Sequence, residues 1–438
     1  MSSVSRVLDG QSVGITYEYD QQMNSLCIRD ALNRPVEGFQ LDIQDRPVTI
    51  ANIDGQTMTV SYGVGSFVKS MTRFDGSTVN NFYDVQGRLG RIEYPDATVT
   101  FDYYANGLVK TVGDSQGTIS DEYNFANRLV SSVSRIPGFQ SQISYGYYPA
   151  GQVSAVTSVA GVVCYSLDAG DRLSSISTPA DTFNYSYNAN NGLIAGVSCS
   201  ALGVSSTFDS LDRVTDITWK NSTKSVARSF ACAYNAVGMI TNVVRQDGSH
   251  TEYTYDGLDR LISETSLGSV TSVVSYSYDL VGNRTRKVDN GTAVNYTLGA
   301  GNRLSSWGTN GENTVSYNTA GCVTEISQGG RSTKTLAWDS RYRVTSVATN
   351  GTTAESYGYD AMGRRVSISD GATTTYLVYD GIHCISEVGT SGSLVRSYTY
   401  GPGIDNTLSM TVYGATTNTY YYIKDHLKNW GRVSTYNK

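Results

Sequence analysis

A short segment recurs along almost the whole chain at a nearly constant spacing. The copy from Tyr276 to Arg286 reads Y-S-Y-D-L-V-G-N-R-T-R. Its tyrosines alternate with polar residues at the strand period of two, and its aspartate can hydrogen-bond the backbone two residues further on. Gly282 can adopt the positive φ that closes a tight loop. The segment therefore predicts a β-hairpin whose second strand runs out to Val288.

Alignment on this hairpin gives 18 copies, and we define the first position of each copy as the residue equivalent to Tyr278. The copies begin at Tyr19 and end with the one at Tyr379, which gives a mean period of about 21 residues, typical of stacked repeats. The first position is aromatic in 15 copies and leucine in three. We predict that these aromatic rings turn into a shared seam between hairpins and are largely buried. The structural aromatics of the repeat are Tyr83, Tyr103, Tyr123, Tyr187, Tyr255, Tyr278, Trp338, Tyr359 and Tyr379.

Arginine occupies the sixth residue of every second copy, whereas the intervening copies place glycine in the loop. The repeating unit is therefore predicted to be a pair of hairpins, about 42 residues long. Two interpretations stay open: the guanidinium groups stack on tyrosine rings or pair with loop aspartates on one face, or they form a solvated row of charges. The repeat arginines are Arg46, Arg88, Arg128, Arg172, Arg213, Arg260, Arg303 and Arg343.

Composition agrees with many short strands joined by tight turns. The chain has 33 tyrosines, 44 glycines and only 7 prolines, and no window shows a sustained helical apolar stripe. We predict an all-β fold of tandem hairpins in one elongated or curved body. A lead-in strand is expected in residues 1–18 and the repeat array in 19–399, while 400–438 departs from the pattern.

Charge and cysteine usage exclude several classes of protein. The 33 basic and 39 acidic side chains leave a net charge of −6 without a clustered basic face, so nucleic acid is an unfavourable partner. Six scattered cysteines without a C-x-x-C pair suit neither a zinc knuckle nor a disulfide scaffold, and we interpret them as free thiols. No segment is predicted to span a membrane or to act as a secretory signal.

Candidate catalytic and metal-binding residues are few. The histidines, His250, His383 and His426, are far apart in the sequence, and the pair His383-Cys384 is interpreted as a degenerate loop rather than a nucleophile. The recurring aspartates could suggest calcium, but each stands alone in its loop, where it caps the turn. We therefore predict no catalytic residue, metal or cofactor. The aspartates concerned are Asp20, Asp84, Asp256, Asp279, Asp360 and Asp380.

Two later segments carry a specific family resemblance. Residues 397–405 read S-Y-T-Y-G-P-G-I-D and residues 420–427 read Y-Y-Y-I-K-D-H-L. Together with repeats of the form Y-D-x-x-G-R-L, they resemble the RHS/YD-repeat family. That family includes bacterial RHS polymorphic toxins, the shell component of Tc insecticidal toxins, wall-associated YD proteins and the YD shell of teneurins.

The resemblance implies a strip of hairpins that spirals into a hollow β-shell, which encloses an effector polypeptide in the toxin members. It also implies a secreted or cell-surface protein whose partners are a polypeptide cargo or a partner shell chain, with glycans as a further possibility. Residues 400–438 would begin the family's core segment, and Asp425, His426 and Leu427 would form its end motif, with a structural polar contact at His426. The family continues D-H-L with Gly-Ser, but Lys428 follows here. We therefore expect a truncated member that lacks the self-cleavage segment and the effector.

The sequence thus favours a non-enzymatic repeat body that walls off or scaffolds a polypeptide. One alternative is a surface adhesion module that holds glycans on exposed tyrosines. A second alternative is a self-cleaving RHS core protease.

Overall fold

A computed structural model of the chain describes residues 2–8, 11–22, 24–425 and 430–435. Strands dominate this part of the chain, and the described pairings join successive strands in antiparallel fashion. The helical segments are two short 3-10 turns, Val64–Ser66 and Ala300–Asn302. The prediction of an all-β fold of tandem hairpins is confirmed.

The chain forms two compact units, and each combines an early and a late stretch of sequence. Unit 1 comprises Met1–Thr100 and Glu252–Ser356. The strands that begin in its first stretch are β1 (Ser2–Leu8), β2 (Gln11–Tyr19), β3 (Ser25–Arg29), β4 (Pro35–Leu41), β5 (Pro47–Asn52), β6 (Thr57–Tyr62), β7 (Val68–Thr72), β8 (Thr78–Tyr83), β9 (Leu89–Glu93) and β10 (Thr98–Tyr103). Those that begin in its second stretch are β25 (Leu261–Leu267), β26 (Ser272–Tyr278), β27 (Arg284–Asp289), β28 (Thr292–Leu298), β29 (Leu304–Gly308), β30 (Asn313–Tyr317), β31 (Val323–Gln328), β32 (Ser332–Trp338), β33 (Val344–Thr349) and β34 (Thr352–Tyr359).

Unit 2 comprises Phe101–Thr251 and Tyr357–Lys438. The strands that begin in its first stretch are β11 (Val109–Asp114), β12 (Gly117–Tyr123), β13 (Leu129–Ile136), β14 (Phe139–Tyr147), β15 (Val153–Ser158), β16 (Gly161–Leu167), β17 (Leu173–Ser177), β18 (Thr182–Tyr187), β19 (Ile194–Ser198), β20 (Leu202–Phe208), β21 (Val214–Asn221), β22 (Val226–Tyr234), β23 (Ile240–Arg245) and β24 (His250–Tyr255). Those that begin in its second stretch are β35 (Arg365–Ser369), β36 (Thr374–Asp380), β37 (His383–Gly389), β38 (Leu394–Tyr400), β39 (Thr407–Val412), β40 (Asn418–Lys424) and β41 (Trp430–Thr435).

The described strand pairings at the first position of the copies carry a bulge. Between β12 and β13, Tyr123 pairs with Leu129 while Glu122 pairs with Ser131, so Val130 has no residue opposite it. The same shift occurs at Tyr62, Leu167, Phe208, Tyr278 and Trp338. A bulge bends the strand and re-aims the side chain beside it. The first residue of a copy therefore lies opposite its seventh residue, which explains the apolar residues that recur at this seventh position.

The loop between these two residues is closed by a residue in the left-handed region. In the copy that begins at Tyr255, the Asp256 amide donates to the Arg260 carbonyl and the Asp259 amide donates to the Asp256 carbonyl. Asp259 has φ 64°, and the equivalent Gly282 in the next copy has φ 92°. Glycine, aspartate and asparagine tolerate this conformation best, which is why they alternate at the fifth residue of the copies.

The buried core lies in the strands, at the tenth residue of several copies. In unit 2, Val112 and Ile176 are buried there, and each pairs across the ladder with a buried residue, Ile119 and Phe183 respectively. The late strands of unit 2 pack on the early ones in two apolar clusters. Burial of aliphatic side chains at the ladder, rather than of the first-position rings, thus supplies the hydrophobic stabilisation of this unit.

Candidate functional site

The loop aspartate and the loop arginine of a copy bind each other. In the copy that begins at Phe208, one oxygen of Asp209 accepts the amides of Leu211 and Arg213 at 2.9 and 3.0 Å, and the other accepts Arg213 Nε at 2.7 Å. The side-chain hydrogen bond from Arg213 lowers the pKa of Asp209, with help from the backbone amides. One carboxylate therefore closes the turn and fixes the guanidinium at the same time.

The guanidinium then covers the first-position ring of the next copy. Arg213 lies 4.7 Å from the Tyr234 ring centre, and Arg260 lies 4.9 Å from that of Tyr278. The same contact joins Arg46 to Tyr62, Arg128 to Tyr147, Arg172 to Tyr187, Arg303 to Tyr317 and Arg364 to Tyr379. Of the two interpretations of the arginine row, the structure shows pairing and ring stacking, which are the geometry of cation–π contacts.

The tyrosine hydroxyls point back to the preceding copy. Tyr278 donates to the Leu261 carbonyl at 2.8 Å, and Tyr234 donates to the Val214 carbonyl at 2.8 Å. In each case the acceptor is the seventh residue of the copy before. Tyr62, Tyr83, Tyr147, Tyr187, Tyr317 and Tyr379 donate to the equivalent carbonyl. The indole of Trp338 donates to the Val323 carbonyl at 2.7 Å, so tryptophan replaces tyrosine without loss of this bond.

These contacts determine how the aromatic residues are placed. The nine structural aromatics are half-buried, and none of them is exposed. At Tyr187, Tyr278 and Tyr379 the arginine of the preceding copy lies over the ring, and the hydroxyl reaches the carbonyl beside that loop. The sequence signal for this arrangement was the preference for tyrosine over phenylalanine, which only a hydroxyl donor explains.

The arginine alternation is less strict than predicted. Arg364 belongs to a copy with a loop glycine, yet it donates to Asp360 at 2.7 Å. Arg303 has no aspartate in its own loop and pairs instead with Asp54 at 2.7 Å. Arg128 is held by the Tyr148 carbonyl, because Asn124 replaces the loop aspartate. Arg88 and Arg343 pair with Asp84 and Asp339 in the ordinary way.

The histidine and cysteine residues considered as catalytic candidates have surroundings that do not favour nucleophilic catalysis. His383 stacks on Tyr400 with ring centres 4.5 Å apart, and burial raises the pKa of the adjacent Cys384 to about 11. A thiol that stays protonated is a poor nucleophile. Asp425 follows β40, while His426 and Leu427 lie outside the described residues.

The described residues contain no group of three or more histidine, cysteine, aspartate or glutamate side chains that could hold a metal ion. The six cysteines are free thiols in the structure. No helix within the described ranges is long and apolar enough to cross a membrane.

Contacts between the early and late stretches of each unit could not be read from the sequence. In unit 1, Arg73 donates to the Ser340 carbonyl at 2.6 Å, and Arg34 donates to Asn302 at 2.9 Å. In unit 2, the hydroxyl of Tyr145 donates to Asp380 at 2.8 Å. These pairs are separated by 235 to 268 residues, and no local pattern marks them.

The geometry defines a tandem β-hairpin repeat protein whose motif side chains join each hairpin to the next. A family model for the RHS repeat matches residues 234–271, a segment that contains the Tyr255 copy and its Asp256–Arg260 pair. The RHS repeat is therefore identified in this segment, in agreement with the resemblance to the RHS/YD-repeat family. No curated protein matches the sequence.

Solved structures of Tc toxins share the fold. The crystal structure of TcdB2-TccC3-Cdc42 is 14% identical with a TM-score of 0.64, over 90% of this chain and 26% of that one. The Photorhabdus luminescens Tc holotoxin pore with the TccC3-D651A mutation is also 14% identical with a TM-score of 0.64, over 91% of this chain and 26% of that one. The crystal structure of TcdB2-TccC3 gives the same identity and TM-score, over 90% of this chain and 27% of that one. The chain thus spans about a quarter of the length of these relatives.

Proposed function

We propose that the chain is a non-catalytic repeat body that forms a shell, or part of one, around a polypeptide. The observation that carries the proposal is the use of the repeated motif. The Tyr278 hydroxyl binds the preceding copy, while Asp256 binds Arg260 in its own turn and Arg260 covers the Tyr278 ring of the next copy. When the polar groups of the motif bind neighbouring repeats, the repeats form a continuous wall. Few of these groups then remain available for catalysis.

The likeness to Tc structures supports the choice of a polypeptide as the partner. Those structures contain TcdB2 together with TccC3 and share this fold. By analogy, the partner of this chain is an enclosed polypeptide or a second chain that completes the wall. A secreted or cell-surface location follows from the same family resemblance.

The proposal is tested by native purification of the full chain from its source cells. Mass spectrometry identifies polypeptides that copurify in fixed stoichiometry, and limited proteolysis compares their digestion with and without the chain. We expect a polypeptide that resists protease only in the presence of the chain. A chain that copurifies with no polypeptide, and instead shows saturable binding on a glycan array or a self-cleavage fragment on a gel, would overturn the proposal.

A further inference from the structure

A cavity of about 180 Å³ in unit 2 lies between the β15–β18 hairpins and the β37–β39 strands. Tyrosine rings form much of its wall, and Asp380 and His383 are its other titratable lining groups. The two stretches that enclose it come from distant parts of the sequence and meet within the same unit. The repeated motif explains neither its shape nor its charge.

Asp380 occupies the position of the loop aspartate in its copy, but no arginine stands four residues after it. It is the second residue of the last regular copy, where Asp209 and Asp256 each bind an arginine four residues on. Cys384 occupies that arginine position here, and the hairpin is one residue shorter, since Tyr379 pairs with Cys384 and Asp380 with His383. The side chain of Asp380 therefore no longer caps its own turn.

Asp380 lines the cavity, and its carboxylate is bound by a tyrosine hydroxyl instead of an arginine. Its Oδ1 accepts the Tyr145 hydroxyl at 2.8 Å, and neither oxygen makes an ion pair with a described residue. Its charge adds to burial in raising the pKa of Tyr165 to about 12 and also raises the pKa of Tyr145. A half-buried carboxylate that accepts a single hydrogen bond from a neutral donor has no counter-ion for its negative charge. Such a group favours the binding of a cation.

Two of the tyrosines that line the cavity have their hydroxyls bound to other groups. Tyr400 donates its hydroxyl to the Cys384 carbonyl at 2.9 Å, and Tyr398 donates its own to Glu387 at 2.5 Å. With these hydroxyls bound to other groups, the two residues contribute aromatic rings to the lining rather than free hydroxyl groups. Aromatic rings beside a carboxylate are the surroundings in which proteins hold organic ammonium groups.

We propose that this cavity is a binding site for a primary ammonium group, with Asp380 as its counter-ion and the rings of Tyr165, Tyr398 and Tyr400 as its walls. The group comes either from a free alkylamine or from a lysine side chain of a bound polypeptide. The ammonium takes the place that arginine holds in the other repeat loops. This inference does not depend on the proposed function.

Isothermal titration of the full chain tests the site with n-butylammonium, with N-acetyl-lysine methylamide and with n-butanol as the neutral probe. We expect saturable binding of at least one ammonium probe and none of butanol. Binding of butylammonium identifies a free amine as a sufficient source, and binding of the lysine probe alone identifies a polypeptide side chain. Either result supports the site.

Two matched variants locate the binding. Asp380→Asn keeps the acceptor for Tyr145 but removes the charge, and it should weaken ammonium binding by about tenfold or more. Asp168→Asn, at an arginine-paired loop aspartate of the same unit, should leave it unchanged. Absence of saturable ammonium binding, equal binding of butanol, or full binding by a folded Asp380→Asn chain would overturn the proposal. The comparison with butanol uses the unaltered chain, so it decides the charge requirement even where the variant does not fold.

Discussion

The hydroxyl of Tyr278 donates a hydrogen bond to the backbone carbonyl of Leu261, 17 residues earlier, at 2.8 Å. Leu261 lies at the seventh position of the preceding copy, where the bulge leaves its carbonyl beside the loop. The bond therefore joins two consecutive repeats through one side chain and one backbone group. Because the same bond recurs along both units, single substitutions can measure what it contributes.

Tyr278→Phe should lower the free energy of unfolding by about 1 kcal/mol, since it removes the donor and leaves the Leu261 carbonyl unpaired. Tyr278→Ala should cost about 3 kcal/mol, because it also removes the ring that packs under Arg260. Urea denaturation followed by tryptophan fluorescence gives both values. Tyr296→Phe is the matched control, since the Tyr296 hydroxyl donates to no described residue. Equal effects of the two Phe variants would show that the bond contributes nothing.

Arg213→Lys should destabilise the chain by about 1 kcal/mol. Lysine keeps the positive charge. It cannot replace both the hydrogen bond from Arg213 Nε to Asp209 and the contact of the planar guanidinium with the Tyr234 ring. Arg135→Lys serves as the control, because Arg135 is exposed and its guanidinium has no hydrogen-bond partner in the described part of the chain. The urea midpoint of each variant is compared with that of the unaltered chain. A midpoint for Arg213→Lys that matches the control would rule out the stacked geometry as a source of stability.

The loop aspartates should make the chain sensitive to acid. The hydrogen bonds from Arg172 and Arg213 lower the pKa of Asp168 and Asp209 from the ordinary value of 3.8. A carboxyl whose pKa is lower in the folded state stabilises the fold above pH 3.8, and this stabilisation is lost as the pH falls through the lower folded value. The double variant Asp168→Asn, Asp209→Asn should therefore show a flatter decrease in urea midpoint below pH 3.8.

Asp102→Asn is the control for this pH series, because its exposed carboxylate accepts a single hydroxyl, that of Thr111. Acid sensitivity that is unchanged in the double variant would contradict the assignment to the loop pairs.

Gly401 lies close to the ends of neighbouring side chains within unit 2. A Cβ atom at this position would lie 2.7 Å from Asn406 Nδ2 and 2.9 Å from the Tyr185 hydroxyl. Because both neighbours are ends of side chains that can shift, Gly401→Ala should destabilise the chain by about 1 kcal/mol, and Tyr185→Phe in the same chain should restore part of the loss. Gly203→Ala is the control, because its nearest neighbour would be at an ordinary 3.6 Å. Equal melting temperatures for the two alanine variants would contradict this packing.

Thiol reactivity should separate the cysteines by burial. Burial raises the pKa of Cys232 and Cys384 to about 11, whereas Cys164 is exposed. At pH 8 the two buried thiols remain protonated, so iodoacetamide should alkylate Cys164 well before either of them. Peptide mapping after timed labelling measures the order. Rapid labelling of Cys384 would revive a nucleophilic role for the pair with His383.

The hairpins could be predicted from the sequence because their signals are local. The alternation around Tyr276 and the glycine at residue 282 specify a strand and a left-handed turn within a few residues. The half-burial of Tyr278 could not be predicted, because it depends on the position of Arg260 in the copy before. The contact of Tyr145 with Asp380 depends on how the chain folds over a separation of 235 residues, and nothing near either residue in the sequence signals it.

The central claim is that the motif residues join successive repeats, and a double-mutant cycle on Arg260 and Tyr278 tests it most directly. Arg260→Met, Tyr278→Leu and the double variant give the coupling energy of the stacked pair, and Arg331→Met with Tyr278→Leu gives the control cycle. We predict a coupling of about 0.5–1 kcal/mol for Arg260 with Tyr278 and additivity in the control. Additivity in both cycles would contradict the claim.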